Sequence, residues 1–190
     1  MGEFNSKNIH VEDQILILVD ENDSFSGEYA PRHKAHTGNG LHHRAYVCII
    51  INEQGKILLQ KRKHWLWDNL WDLSAVSHTL HYNDHDESYE EAAARGLKKE
   101  MGIQGIQIQK IGGFNYFAKH NDGKSCENEY CAILFGRYSG QINPDKEVVY
   151  ANRWVSQKDL LKELKNESDS FTPWIIKAFE TLQLEKKIPL

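Results

Sequence analysis

Residues 81–103, HYNDHDESYEEAAARGLKKEMGI, decide the fold. Ser88 and Glu91 have the spacing of a capping box, Ala92, Ala93, Leu97 and Met101 make one apolar face, and Gly102 can end the helix in a left-handed turn. A helix is therefore predicted from Asp84 to Met101. Its polar positions also keep a fixed spacing: His81, five residues, Glu87, seven residues, then Arg95, with Glu100 following. Charges alone would suit any solvated helix face. The full spacing, closed by Gly102-Ile103, points instead to a site carried on the helix.

Working outward, Gln14 to Val19 reads as a strand stopped by Asp20-Glu21-Asn22-Asp23. Arg44 to Ile51 and Lys56 to Gln60 flank Asn52-Glu53-Gln54-Gly55, a hairpin signal. Short strands are expected at Trp71 to Val76, Ile106 to Ile111, Phe114 to Ala118, Glu129 to Tyr138 and Val148 to Val155, with a turn at Asn121-Asp122-Gly123. Ser156 to Leu164 and Pro173 to Leu184 read as helices. Strands around a central helix with a helical end give an α/β class, a mixed sheet between helices. Residues 1–12 are expected to be a disordered tail and 13–190 a single domain.

A net charge of -4 argues against a broad nucleic-acid footprint but not against a small anion pocket. The longest apolar run, Ala45 to Ile51, is far short of the ~20 residues a membrane span needs. Three cysteines cannot all pair within one chain, and no signal-peptide pattern opens it, so a cytoplasmic location is expected. Cys48 and Cys131 read as small buried hydrophobes.

The pattern from His81 to Ile103 resembles the Nudix signature G-x5-E-x7-R-E-U-x-E-E-x-G-U, where U is apolar. Glu87, Arg95, Leu97, Glu100, Gly102 and Ile103 match it; His81, Gly96 and Lys99 depart from it. Such departures also occur in type 1 isopentenyl-diphosphate isomerases, the Nudix-fold family that this chain resembles from about Gln14 to Leu182. Ala35-His36-Thr37 with Leu41-His42, Ser77-His78 and Glu127-Asn128-Glu129 resemble that family's metal ligands, which implies a metal site of His36, His42, His78, Glu127 and Glu129. Three imidazoles and two carboxylates suit zinc, manganese or iron, and carboxylates also accept magnesium. If Glu127 to Cys131 is a strand, alternation places Glu127, Glu129 and Cys131 on one face.

The resemblance further implies Mg2+ at Glu100 beside a substrate diphosphate, a second divalent ion (Zn2+, Mn2+ or Mg2+) at the His/Glu cluster, and Glu129 as catalytic acid/base. It implies anion contacts at Arg32 and Arg62, and a Trp174 whose ring closes over the isoprenoid and stabilises positive charge. Val76 stands where that family carries its reactive cysteine, and Gly96 where it carries another arginine. The stretch from Lys63 to Asn69 is shorter than its counterpart, so Lys61, Lys63 and His64 are the candidates to compensate. The implied function is a divergent isomerase-like enzyme acting on or binding an isoprenoid diphosphate. The alternatives are a Nudix diphosphate hydrolase, for nucleoside or prenyl substrates, and a catalytically silent diphosphate-binding protein. The expected partner is a small-molecule diphosphate, with no nucleic acid or membrane, and a monomer or homodimer.

Overall fold

The structure, a computed structural model, describes residues 14–185; the tail expected at residues 1–12 lies outside the described residues. In chain order the elements are β1 (Ile15–Val19), β2 (Phe25–Pro31), the one-turn α1 (Arg32–Ala35), β3 (His43–Ile51), β4 (Ile57–Arg62), β5 (Trp71–Leu73), β6 (Ala75–His78), β7 (Leu80–Tyr82), β8 (His85–Asp86) and α2 (Tyr89–Met101). There follow β9 (Ile108–Lys119), β10 (Cys126–Arg137), β11 (Val149–Val155), α3 (Gln157–Asn166) and α4 (Pro173–Glu185). This is an α/β arrangement in which a mixed sheet lies between helices.

The sheet is organised by β3. It pairs in parallel with β10, from His43 opposite Glu129 to Ile51 opposite Arg137, and antiparallel with β6, where Ala45 faces His78 and Val47 faces Val76. Side chains alternate across a strand. Ala45, Val47, Ile49 and Ile51 therefore join the core under α4, with Ile175, Ala178 and Phe179. Tyr46, Cys48 and Ile50 join the core under α2, with Ala92, Ala93 and Leu97.

The hairpin at Asn52 to Gly55 forms as read, with Gly55 at φ +69. Its two strands then separate, since β3 and β4 pair only at Ile51 and Ile57. From there β4 runs with β11 and β5, while β3 runs with β10 and β6. Ser74 sits at the split. Its backbone N–H donates to Cys48 O on β3 and its hydroxyl to Leu58 O on β4. The segment Trp71 to Val76 is thus two strands, divided at Ser74 and paired to opposite sides of the opening.

Two other boundaries differ from the sequence reading. The helix begins at Tyr89 because Ser88 caps it, with both hydrogen bonds of the capping box in place. Asn83 and Asp84, both at positive φ, instead turn β7 into β8, as a tight hairpin requires. The segments Ile106 to Ile111 and Phe114 to Ala118 belong to one strand, β9, that continues through Gly112-Gly113. A Cβ on Gly113 would collide with the Tyr130 hydroxyl, so this glycine serves a close cross-strand approach and not a turn.

Gly96 has a comparable cause. A Cβ there would collide with the hydroxyl of Tyr46, a fully buried side chain that donates to Ala92 O. We expect Gly96→Ala to destabilise the protein by about 1–3 kcal/mol in urea denaturation, as overpacking does. Combining it with Tyr46→Phe, which removes the obstructing oxygen, should cost less than the sum of the two single changes. Strict additivity would show that the two positions do not compete for space.

Candidate active site

The split between the two halves of the sheet opens onto a cavity of about 170 Å3. It receives side chains from both sheet halves, from α2 and from α4, among them His78, Glu127, Glu129, Glu100 and Trp174. At its inner end five buried residues, His36, His43, His78, Glu127 and Glu129, bring one ligand atom each to within 4.8 Å of one another. His36 caps the end of α1, His43 opens β3, His78 ends β6, and the two glutamates alternate along β10. Because Glu129 pairs with His43, and Ala45 with His78, strand register alone gathers three of the five.

Two of the imidazoles, His36 and His43, are oriented for a cation. His36 Nδ1 lies 2.8 Å from Arg32 O, and His43 Nδ1 lies 2.7 Å from Leu41 O. Each Nδ1–H is thereby donated to a carbonyl, and each Nε2 lone pair is turned inward, the outer-shell arrangement found around metal-bound histidines. His36 Nε2 then stands 2.9 Å from Glu127 Oε2 and 3.2 Å from His78 Nε2. With the His36 proton committed elsewhere, its Nε2 lone pair faces the Glu127 carboxylate, and a cation or an added proton relieves the repulsion. Glu127 Oε2 and His43 Nε2 have no hydrogen-bond partner among the described residues although both are buried. Such orphans are costly unless an ion satisfies them. The donor set fits a divalent metal.

The electrostatics agree. Burial, reinforced by Arg32 and the two neighbouring histidines, holds His78 well below the usual histidine range and keeps it neutral. Burial also opposes charge on His36, but the Glu127 carboxylate outweighs it and raises that pKa. For Glu129 burial acts upward, while His43 and a hydrogen bond from Tyr116 hold the carboxyl below its ordinary value.

His42, expected among the ligands, is not in the cluster. Its Nδ1 bonds Val19 O at 2.9 Å, on the other side of the strand entrance. Neighbouring residues of a strand point to opposite faces, and His43 has the parity of Ala45 and Val47 that faces the cavity. Glu100 lies outside the five but on the same cavity wall, where it accepts a hydrogen bond from Gln60; burial raises its pKa to about 7, against the pull of Gln60 and Arg62.

Glu87 and Arg95 form a buried pair. Arg95 Nε and Nη2 each reach Glu87 at 2.7 Å, Glu87 accepts Leu80 N–H, and Arg95 Nη2 also donates to His78 O. These atoms hold the ligand strand against α2, so Glu87 is a positioning residue. Arg32 donates from Nη1 to Gln14 and His78, beside the cluster. Arg62 bonds buried Asp72 at 3.1 Å and lies over the Trp174 ring at 5.1 Å. Trp174 Nε1 donates to both oxygens of Asp72, which pins the ring, and one of its faces already carries a guanidinium.

Val76 lines the cavity, as do Cys131 and Tyr116. Sequence reasoning missed His43, Tyr116, Gln60 and Asp72. Because β3 is buried on both faces, alternation gave no signal for His43; the other three depend on pairings distant in sequence.

The NUDIX domain model matches residues 41–175, and the chain belongs to that family. Within it, the chain is 33% identical over 153 residues to an isopentenyl-diphosphate Delta-isomerase of Halobacterium salinarum, covering 77% of this chain and 69% of that protein. It is 29% identical over 180 residues to one of Paenarthrobacter aurescens, covering 93% and 95% respectively. Among solved structures, DR0079 from Deinococcus radiodurans superposes with a TM-score of 0.67 at 15% identity, covering 87% of this chain and 96% of that one. A MutT protein from Methanosarcina mazei Go1 gives a TM-score of 0.60 at 22% identity, covering 77% and 96%. These structures establish the Nudix fold. Among the described residues no helix is long and apolar enough to cross a membrane.

The geometry separates the two adjacent histidines. His43→Ala should weaken Zn2+ or Mn2+ binding by roughly tenfold or more, the scale of losses at metal sites, while His42→Ala should leave the calorimetric affinity within about twofold. Equal losses in both variants would refute the assignment.

Proposed function

We propose that this chain is a metal-dependent, isopentenyl-diphosphate isomerase-like Nudix protein that acts on or binds an isoprenoid diphosphate. One observation carries the reading: a single small cavity joins the His/Glu cluster to an apolar wall and to a set of cations. Ala45, Leu66 and Val76 supply apolar surface, while Arg32, Arg62 and Lys63 supply positive charge. A volume of about 170 Å3 is below the ~300–1,000 Å3 of cavities for drug-sized ligands, which favours a short prenyl chain.

In this reading His36, His43, His78, Glu127 and Glu129 would hold one divalent ion, and Glu100 would hold Mg2+ for the diphosphate. An ion held in that cluster would lower the Glu129 pKa further, so that this side chain would act as the ionised proton acceptor. Tyr116 lines the same cavity and helps to hold the Glu129 carboxyl ionised. Trp174 and Leu66 exclude water from the apolar end.

Allylic isomerisation needs a proton donor and a proton acceptor on opposite sides of the substrate. Glu129 supplies one. Val76, on β6 across β3 from Glu129, has no proton to exchange. Cys131 follows Glu129 by two residues on the same strand, so its thiol shares the carboxylate's side, and burial raises its pKa well above normal. This asymmetry favours slow isomerisation or silent binding over fast turnover. Hydrolysis is the weaker alternative, because Glu87 is consumed by Arg95, Gly96 carries no carboxylate and Lys99 replaces another.

Proton and phosphorus NMR of isopentenyl diphosphate in heavy water, with Mg2+ and Zn2+ or Mn2+, tests the reading. Val76→Cys is expected to raise the rate of deuterium incorporation into dimethylallyl diphosphate by about 100-fold or more, the scale of a positioned acid/base. If Val76→Cys gives no gain and the ligand does not perturb either protein, the isoprenoid reading is wrong. Release of inorganic phosphate would favour the hydrolase.

A further inference from the structure

We propose that Lys99 is a phosphate-binding residue of this cavity, the cation by which the site holds the distal part of a diphosphate. The proposal rests on the diphosphate reading above and adds a residue to it.

Lys99 is on α2, one turn after Gly96, and both residues line the cavity. A helical side chain leans toward the helix N-terminus and covers the turn before its own Cα. Lys99 therefore reaches over Gly96, where no side chain stands in its way. Gly96 is itself kept bare by the Tyr46 hydroxyl. Packing in the α2 core thus clears a lane that a long, flexible cation at position 99 can use.

The other candidate cations are engaged. Lys61 lies over the Trp71 ring at 5.6 Å. Lys63 Nζ donates to Lys146 O at 3.0 Å. His64 is buried beside Arg62 and Arg32, and its pKa falls to about 4, so it is uncharged near neutral pH. Arg62 is bound to buried Asp72, and Arg95 to Glu87. Lys99, by contrast, is exposed, and among the described residues no hydrogen bond or ion pair holds its ammonium. It favours the ionised form of the neighbouring Glu100, less than Gln60 and Arg62 do. A carboxylate for Mg2+ and a free ammonium at successive positions match an anion that needs both a bridging metal and a direct cation.

Lys99 is a surface residue whose substitution should spare the fold, so calorimetry with inorganic diphosphate and Mg2+ is a direct test. Lys99→Gln should weaken binding by roughly tenfold or more, the worth of one charge-assisted hydrogen bond; Lys99→Arg should stay within about threefold of the parent. A loss below threefold in Lys99→Gln, with the parent protein binding normally, overturns the role of Lys99 and leaves the diphosphate site intact. Equal losses in Lys99→Gln and Lys99→Arg overturn the charge argument. If the parent itself does not bind inorganic diphosphate, both the role of Lys99 and the functional reading fail.

Discussion

The buried pair between Glu87 and Arg95 is the contact on which the site depends. It closes a loop of interactions: Glu87 accepts from Leu80 N, Arg95 donates to His78 O, and both side chains belong to the segment that carries α2. Buried ion pairs contribute little net stability, since desolvation offsets most of the attraction, but breaking one strands a charge. The value of this pair is therefore geometric. It sets the height of the helix against β6 and so the place of His78, whose Nε2 is 2.9 Å from Glu129 Oε1. Two of the signature residues that look catalytic in the sequence thus act through another residue.

A second constraint shapes the cavity. Two strands that begin as a hairpin pair at one residue couple and then part, so polar side chains from both halves can enter a space that is otherwise core. On the outer wall the polar groups are paired. Asp72 is fully buried and is satisfied by Arg62 and the Trp174 indole; even so, burial outweighs those partners and raises its pKa. Arg62, Asp72 and Trp174 form one rigid unit on the outer wall, opposite the softer cluster of imidazoles and carboxylates. Preorganised charge of this kind changes little in position when a ligand arrives.

Much of this was legible in the chain. Ser88, Glu91 and Gly102 mark the helix ends by local chemistry, and local chemistry is readable. Glu127 and Glu129 declare a shared face by their spacing of two. The choice between His42 and His43 was not legible from alternation, because β3 is buried on both faces and its sequence runs apolar without a period. β2 escaped notice for the opposite reason: five of its seven residues are exposed, so it has no apolar stripe to find. Tyr116 and Asp72 acquire their roles only through pairings that span the chain.

The three departures from the Nudix signature are each built into the structure. His81 stacks on Tyr29 at 3.9 Å and bonds Asp86 at 2.6 Å, fixing the β7–β8 hairpin where the signature has glycine. Gly96 is required by Tyr46, whose hydroxyl occupies the space of a side chain. Lys99 faces the cavity beside Glu100. A site that had merely lost hydrolytic carboxylates would show substitutions indifferent to their surroundings. Here two of the three have specific packing or hydrogen-bond partners, and the third adds charge where an anion would sit. Removing carboxylates from α2 lowers its capacity for several divalent ions, while the separate His/Glu cluster keeps the donors for one. On the reading proposed above, the charge left on α2 would serve to hold a diphosphate, and Glu129 at the cluster would be the group that exchanges a proton.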